Sequence, residues 1–150
     1  MGQILKFGNT EGIDQKLVEI APGLWQGSRG PAQDDEVLRQ HKITQVLSIT
    51  RVTLQPLQKV CRWTLSMDDN LGWSREQVEF TLAFFRFIDR NGCNAIVHCD
   101  HGASRSSGAI ILWKMLNYHV DKMDANLWLR SVNPYSNIHP AIFASLPERI

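Results

Sequence analysis

The fold is decided by the stretch Ala95-Ile-Val-His-Cys-Asp-His-Gly-Ala-Ser-Arg-Ser106. Its first four residues are apolar enough for a short buried strand, and Arg105 opens a helical pattern that runs to about Asn117. Between them lies a short loop whose backbone N–H groups, at a helix N-terminus, form a nest for a phosphate dianion. Gly102 permits the tight turn and a close backbone approach. The stretch therefore predicts a strand, a phosphate-binding loop and a helix.

This loop also carries a nucleophile. Cys99 stands at the end of the predicted strand, and a thiolate in a phosphate nest is a nucleophile aimed at phosphorus. Arg105 can grip two phosphate oxygens with its planar guanidinium, and Ser106 can hydrogen-bond the sulfur and help it leave. The residues predicted to bind phosphate are Asp100, His101, Gly102, Ala103, Ser104 and Arg105. A buried structural cysteine is the competing interpretation, but the strand–loop–helix context is the one that the chemistry demands.

A phosphatase also needs an acid that protonates the leaving oxygen. The polar segment Met67-Asp-Asp-Asn-Leu-Gly-Trp73 lies upstream of the nucleophile, between a predicted strand and a predicted helix. From its position alone, either Asp68 or Asp69 can serve. Loop aspartates are often only capping or solubilising residues, but beside a phosphate site an acid–base role is favoured.

The rest of the chain alternates between strand and helix patterns. Ser74 and Gln77 form a capping box, and the amphipathic helix that they open ends at Asn91-Gly92. Strands are predicted in both halves of Leu17–Gln26, at Ile43–Ile49 and at Val60–Leu65, and helices at Pro31–Gln40, Lys122–Val132 and Pro140–Leu146. This order predicts a single α/β domain over residues 1–150, with a central, mostly parallel, twisted sheet of about five strands flanked by helices.

Composition limits the classes of partner. The chain has 150 residues, 43% apolar and 21% charged, with a formal net charge of +1, so nothing indicates a basic surface for nucleic acid. No apolar run reaches the roughly 18 residues that a membrane helix needs, and no signal-peptide pattern is present. Three cysteines without a C-x-x-C pair argue against a disulfide framework or a zinc site, and predict a reducing, cytoplasmic setting. Oligomeric state is not determined by the sequence.

The chain resembles the dual-specificity phosphatases of the protein-tyrosine-phosphatase superfamily. The family pattern His-Cys-x-x-Gly-x-Ser-Arg-Ser is matched in full over His98–Ser106. Leu24-Trp-Gln-Gly-Ser28 resembles the early Leu-Tyr-Leu-Gly-Ser segment, and Ile43-Thr-Gln-Val-Leu47 resembles the Gly-Ile-Thr-His-Val-Leu strand. Leu65-Ser-Met-Asp-Asp-Asn70 resembles the acid-bearing loop. The resemblance extends from about Val18 to Leu146.

The resemblance implies a tyrosine-phosphatase-like fold and a two-step hydrolysis of phosphorylated proteins, on phosphotyrosine and on phosphoserine or phosphothreonine. Cys99 would attack phosphorus, and the family register selects Asp69 as the acid of the first step and the base of the second. The implied catalytic residues are therefore Cys99, Arg105, Asp69 and Ser106, with no metal and no cofactor. Cys61 and Cys93 either form a reversible disulfide with Cys99, as in some relatives, or are ordinary buried thiols.

Several positions depart from the family pattern. Ser48 stands where the family often has Asn, Asn133-Pro134 replaces a common Arg-Pro, and Ile138-His-Pro140 lacks the usual following Asn; all three are expected to concern the scaffold. Asp100 is unfavourable for highly charged substrates such as phosphoinositides. His101 occupies a place where RNA 5′-triphosphatases of the superfamily also carry His, so that activity is one alternative. A module that binds phosphorylated partners without turnover is another.

Overall fold

The computed structural model describes residues 15–150 in full and, of the N-terminal segment, the backbone of residues 4–6. In this part of the chain a six-stranded mixed sheet has the order β1-β2-β3-β6-β4-β5. The strands are β1 (Ile4–Lys6), β2 (Lys16–Ala21), β3 (Leu24–Gly27), β4 (Gln45–Ile49), β5 (Cys61–Leu65) and β6 (Ala95–His98). Pairs β1–β2 and β2–β3 are antiparallel, whereas β3–β6, β6–β4 and β4–β5 are parallel. The predicted α/β class is confirmed; the short β1 was not predicted.

The helices cover both faces of the sheet. They are α1 (Asp35–Gln40), α2 (Arg75–Asn91), α3 (Arg105–Tyr118), α4 (Lys122–Val132) and α5 (Pro140–Ser145). On one face α1 packs Val37 and Leu38 against Trp25 and Ile96. On the other face α2 to α5 form the larger core, in which nine of the 14 residues of α3 are buried. A helix apolar on all sides is the expected centre of such a layer.

One predicted helix begins later than its sequence pattern indicated. Residues Pro31–Gln33 form a 3₁₀ turn, and α1 starts only at Asp35 because the carboxylate of Asp34 accepts hydrogen bonds from the backbone N–H groups of Glu36 and Val37. Asp34 is thus the N-cap of α1. The capping box at Ser74 and the left-handed Gly92 bound α2 as predicted.

The parallel strands bring their carboxyl ends to one edge of the sheet. Gly27 of β3 and Ser48 of β4 both pair with His98 of β6, so the segments that follow these three strands meet there. Ligands of open α/β sheets bind at this edge.

Cys61 opens β5 and Cys93 precedes β6, so both lie at the opposite edge from Cys99, which follows β6. A four-residue strand separates the edges by roughly 13 Å, too far for a disulfide to Cys99 without rearrangement. Cys61 is also exposed, which corrects the expectation of a buried thiol.

Candidate active site

Cys99 lies at the base of the loop that joins β6 to α3. It is only 2% exposed, and its Sγ lies 3.2 Å from Ser106 Oγ in the first turn of α3. Gly102 has φ +69°, and a Cβ there would lie 2.9 Å from the carbonyl carbon and oxygen of Gly27. Both the left-handed conformation and the contact with β3 therefore require glycine at this position. The loop is consequently wedged against the end of a neighbouring strand.

Arg105 is held in place from two sides. Its side chain is nearly buried; Nη1 donates to the carbonyl oxygen of Met67 at 3.1 Å and Nη2 donates to Asp100 Oδ2 at 3.1 Å. The buried Nε–H has no hydrogen-bond partner among the described residues. The Asp69 carboxylate lies 3.5 Å from this Nε. A buried N–H without a hydrogen bond is costly in the free protein, and a bound anion would satisfy it.

The carboxylate of Asp100 binds this guanidinium rather than facing the cavity. Its Oδ1 accepts a hydrogen bond from Thr50 Oγ1 at 2.6 Å, and Arg29 Nη1 lies 3.9 Å away. Partial burial raises the pKa of Asp100, but the hydrogen bonds from Thr50 and Arg105 and the two nearby positive charges outweigh it, so the pKa lies below its usual range. Asp100 therefore remains an anion that fixes Arg105. Because its carboxylate is directed away from the cavity, the prediction that Asp100 binds phosphate can apply only to its backbone N–H group.

The two candidate acids have different surroundings. Asp69 Oδ1 lies 3.5 Å from Arg105 Nε, and Asp69 lines the same cavity as Cys99. Asp68 points away into an exposed ion pair with Arg51, at 2.8 Å. Geometry thus favours Asp69, the residue that the family register also selects.

His98 lies at the end of β6 and is fully buried. Its Nε2 is 2.6 Å from Ser48 Oγ, its Nδ1 is 3.2 Å from the carbonyl oxygen of Cys99, and Arg62 Nη1 donates to Ser48 Oγ at 2.7 Å. Burial lowers the pKa of His98 to about 3, so the imidazole is neutral. Since a carbonyl only accepts, Nδ1 carries the proton and supports the backbone of Cys99.

The cavity above the loop has a volume of about 300 Å³. Its lining consists of Asp69, Asn70, Cys99, His101, Ala103, Ser104, Arg105, Asn137, Ile138, His139 and Pro140. Sequence reasoning missed the wall formed by residues 137–140. Two hydrogen bonds attach this wall to the loop, from the N–H of Asn137 to the carbonyl oxygen of Ala103 and from the N–H of His139 to Ser104 Oγ, both at 2.9 Å. The sequence marked this segment only as a helix start at Pro140 and as a departure from the family pattern at Ile138-His-Pro140, which was expected to concern the scaffold.

Among the described residues, no group of three or more His, Cys, Asp or Glu side chains is arranged to hold a metal ion. None of the described helices is both long and apolar enough to cross a bilayer.

No protein-family model matches the chain. Mouse dual specificity protein phosphatase 15 is 26% identical to it over 133 residues, which cover 88% of this chain and 57% of the relative. The chain spans little more than half the length of this relative and of its rat counterpart. Since nearly half of each relative has no counterpart here, similarity alone does not transfer their activity and substrates to this protein.

Solved structures share the fold. Human DUSP28 superposes with a TM-score of 0.77 at 22% identity, over 86% of this chain and 88% of that one. Human tyrosine phosphatase-like serine/threonine/tyrosine-interacting protein gives 0.75 at 24% identity, over 86% and 91%. Relatives in sequence and neighbours in fold thus agree with the motif, and they confirm that this chain is related to the dual-specificity phosphatases.

Proposed function

We propose that this chain hydrolyses phosphate monoesters on phosphoproteins through a phosphocysteine intermediate. One observation carries the proposal: Cys99, Asp69 and Arg105 line one cavity, and the buried Nε–H of Arg105 has no hydrogen-bond partner in the described part of the chain. A nucleophile, an acid and an unsatisfied anion donor in one cavity are the parts that phosphoryl transfer needs. The names of the relatives support a phosphatase activity.

In the first step the thiolate of Cys99 attacks phosphorus. An S–P bond forms, the bond from phosphorus to the substrate oxygen breaks, and Asp69 gives its proton to that leaving oxygen. The loop N–H groups and Arg105 stabilise the charge on the three remaining phosphoryl oxygens.

In the second step a water molecule attacks the phosphocysteine. Asp69, now a carboxylate, takes the proton of the water, the S–P bond breaks, and inorganic phosphate leaves. The thiolate of Cys99 is regenerated as the leaving group. Ser106 Oγ lies 3.2 Å from the sulfur. Because a thiolate can only accept, the Ser106 hydroxyl donates to it once the anion forms.

The proposed substrates carry phosphotyrosine or phosphoserine and phosphothreonine. The cavity wall includes the apolar side chains of Ile138 and Pro140, which suit the ring of phosphotyrosine. We place the activity in the reducing cytoplasm because Cys99 must remain a thiol, and the three cysteines are all free.

The two alternative functions are less well supported. Among the described residues that line the cavity, Arg105 is the one lysine or arginine, and a triphosphate end of RNA calls for more positive charge. A binding module without turnover would need a broken catalytic set, but Cys99, Asp69 and Ser106 are all present at the site.

Hydrolysis of two aryl phosphates tests the proposal. p-Nitrophenyl phosphate has a good leaving group, whereas phenyl phosphate has a poor one that depends on protonation. We expect Cys99→Ser to abolish turnover of both. Asp69→Asn should cost about 10²–10⁴-fold on phenyl phosphate and much less on p-nitrophenyl phosphate.

Asp68→Asn is the matched control, because it removes the neighbouring carboxylate from an exposed ion pair worth at most about 1 kcal/mol. It should change either rate by less than about fivefold. Equal losses in the two aspartate variants would contradict the role of Asp69. Absence of turnover by reduced wild-type protein, on these esters and on phosphopeptides, would overturn the phosphatase proposal.

A further inference from the structure

Gln26 and Asn133 form a buried amide pair beside the nucleophile. Gln26 is 0% exposed and Asn133 is 1% exposed. Asn133 Nδ2 donates to Gln26 Oε1 at 2.7 Å, and Gln26 Nε2 donates to Ser106 Oγ at 2.9 Å and to Ser107 Oγ at 3.0 Å. Gln26 stands at the second Leu of the family segment Leu-Tyr-Leu-Gly-Ser, and Asn133 at the Arg of Arg-Pro. Two departures from the family pattern are therefore in direct contact.

One backbone group fixes the direction of the hydrogen bonds that link Asn133, Gln26 and Ser106. The N–H of Tyr135 donates to Asn133 Oδ1 at 2.9 Å, and a backbone N–H can only donate. Asn133 must then turn its Nδ2 towards Gln26, which in turn must present Oε1 to Asn133 and Nε2 to the serines. Ser106 Oγ consequently accepts from Gln26. Its single proton is left for another acceptor.

The neighbouring serine shows what competes for that proton. Ser107 Oγ donates to the carbonyl oxygen of Ala103, four residues earlier, at 2.6 Å. The equivalent carbonyl for Ser106 is that of Gly102, which lies 3.4 Å from Gln26 Nε2 and accepts from it. Gln26 thus donates to the Ser106 oxygen and also lies beside the carbonyl to which a first-turn serine otherwise donates.

We propose that Gln26 and Asn133 are positioning residues that direct the Ser106 hydroxyl proton to the sulfur of Cys99. Their effect is to stabilise the thiolate, both in the free enzyme and as the leaving group when phosphocysteine is hydrolysed. The inference deepens the proposed function and rests on it for the second of these effects only. Charge-assisted hydrogen bonds are about twice as strong as neutral ones, so the orientation of one hydroxyl has a measurable effect.

The hydrogen bonds from Asn133 through Gln26 to Ser106 form a relay, and two variants break it in different ways. Gln26→Leu introduces the family residue, which has similar volume and no donor. Asn133→Asp is isosteric, but its carboxylate cannot donate, so Gln26 must turn Nε2 towards it and present Oε1 to Ser106 as a competing acceptor. Ser107→Ala is the matched control, because it removes the other hydroxyl that Gln26 contacts and leaves Ser106 in place.

The assay is alkylation of Cys99 by iodoacetamide, which reports thiolate without any turnover. It is followed on the Cys99 peptide by mass spectrometry, since the exposed Cys61 and partly exposed Cys93 also react. We expect both relay variants to react roughly tenfold more slowly than wild type, because each weakens the hydrogen bond that favours the thiolate. Ser107→Ala should follow the wild-type profile. A thermal melt verifies folding of each variant.

The role of Ser106 is tested by combining Gln26→Leu with Ser106→Ala. If Gln26 acts through Ser106, it adds no further effect in that background. Wild-type alkylation rates in either folded relay variant, an equal reduction in Ser107→Ala, or additive effects in the double variant would each overturn the inference. Because alkylation needs no phosphatase activity, these outcomes are separate from a failure of the proposed function. Where turnover occurs, slower phosphocysteine hydrolysis in Gln26→Leu should appear as a larger burst of released phenol.

Discussion

The neutral, buried His98 makes the fold sensitive to mild acid. The pKa of His98 is about 3 in the folded protein. Burial is the largest cause, and the charges of Arg62 and Arg105 lower the pKa further. The hydrogen bond to the Cys99 carbonyl and the charge of Asp100 raise it, but by less. In the unfolded chain the ordinary value of 6.5 applies. Between these values the unfolded state binds a proton that the folded state does not. Stability is therefore full above pH 6.5 and falls as the pH decreases towards 3.

The magnitude follows from the two pKa values. Each pH unit inside the window costs about 1.4 kcal/mol, so lowering the pH from 7 to 5 removes about 2 kcal/mol of folding free energy through His98 alone. His98→Gln retains a side chain able to hydrogen-bond Ser48 and does not titrate. We expect it to be less stable than wild type at pH 7 by about 1–3 kcal/mol, because a buried hydrogen-bond network is disturbed. The difference should shrink by about 2 kcal/mol at pH 5.

Urea unfolding followed by tryptophan fluorescence measures this difference, since the chain has five tryptophans and Trp25 and Trp73 are buried. Titrations of both proteins at several pH values between about 8 and 5 give the two stability curves, which should be parallel above pH 7 and converge below it. Curves that stay parallel down to pH 5 would refute the reasoning. They would mean that His98 binds its proton equally in both states.

Three further variants probe the supports of the site. Gly102→Ala should lose activity and about 1–3 kcal/mol of stability in urea unfolding, because its Cβ would meet the Gly27 backbone at 2.9 Å and φ is +69°. Asp100→Asn should lower stability at pH 7 by about 1–2 kcal/mol. The interactions that lower the pKa of Asp100 stabilise the fold only where its carboxyl group is ionised, so in urea titrations the difference between variant and wild type should disappear as the pH falls below 3.8. Lys122→Met should lower the melting temperature and raise KM for aryl phosphates, because the buried Nζ donates to three backbone carbonyls at the end of α5, which carries part of the cavity wall.

Local signals account for most of what the sequence predicted. The capping box at Ser74, the left-handed Gly92 and the apolar run of β6 each determine their own element, and each was placed correctly. The loop from Cys99 to Arg105 was recognisable because strand, nest and helix are contiguous in the chain. What the sequence could not provide are contacts made at long range, such as the wall at residues 137–140.

The residues that depart from the family pattern also make long-range contacts that the sequence did not predict. Ser48 and Asn133 were expected to concern the scaffold, yet Ser48 hydrogen-bonds the histidine that supports Cys99, and Asn133 orients the glutamine that contacts Ser106. Each departure has a partner distant in the sequence: Arg62 donates to Ser48, and Gln26 accepts from Asn133.

The polar groups of a buried loop must find hydrogen-bond partners on the surrounding elements, because each unsatisfied group costs about 1–3 kcal/mol. Strands β3 and β4 flank β6, so residues at their carboxyl ends are the ones positioned to do this. Gln26 and Ser48 occupy these positions, on opposite sides of the nucleophile strand. A change in one member of a hydrogen-bonded pair leaves the other without its partner, whereas a change in both can preserve the balance. In this chain each of the two departures, Ser48 and Asn133, accordingly comes with a hydrogen-bond partner on another element.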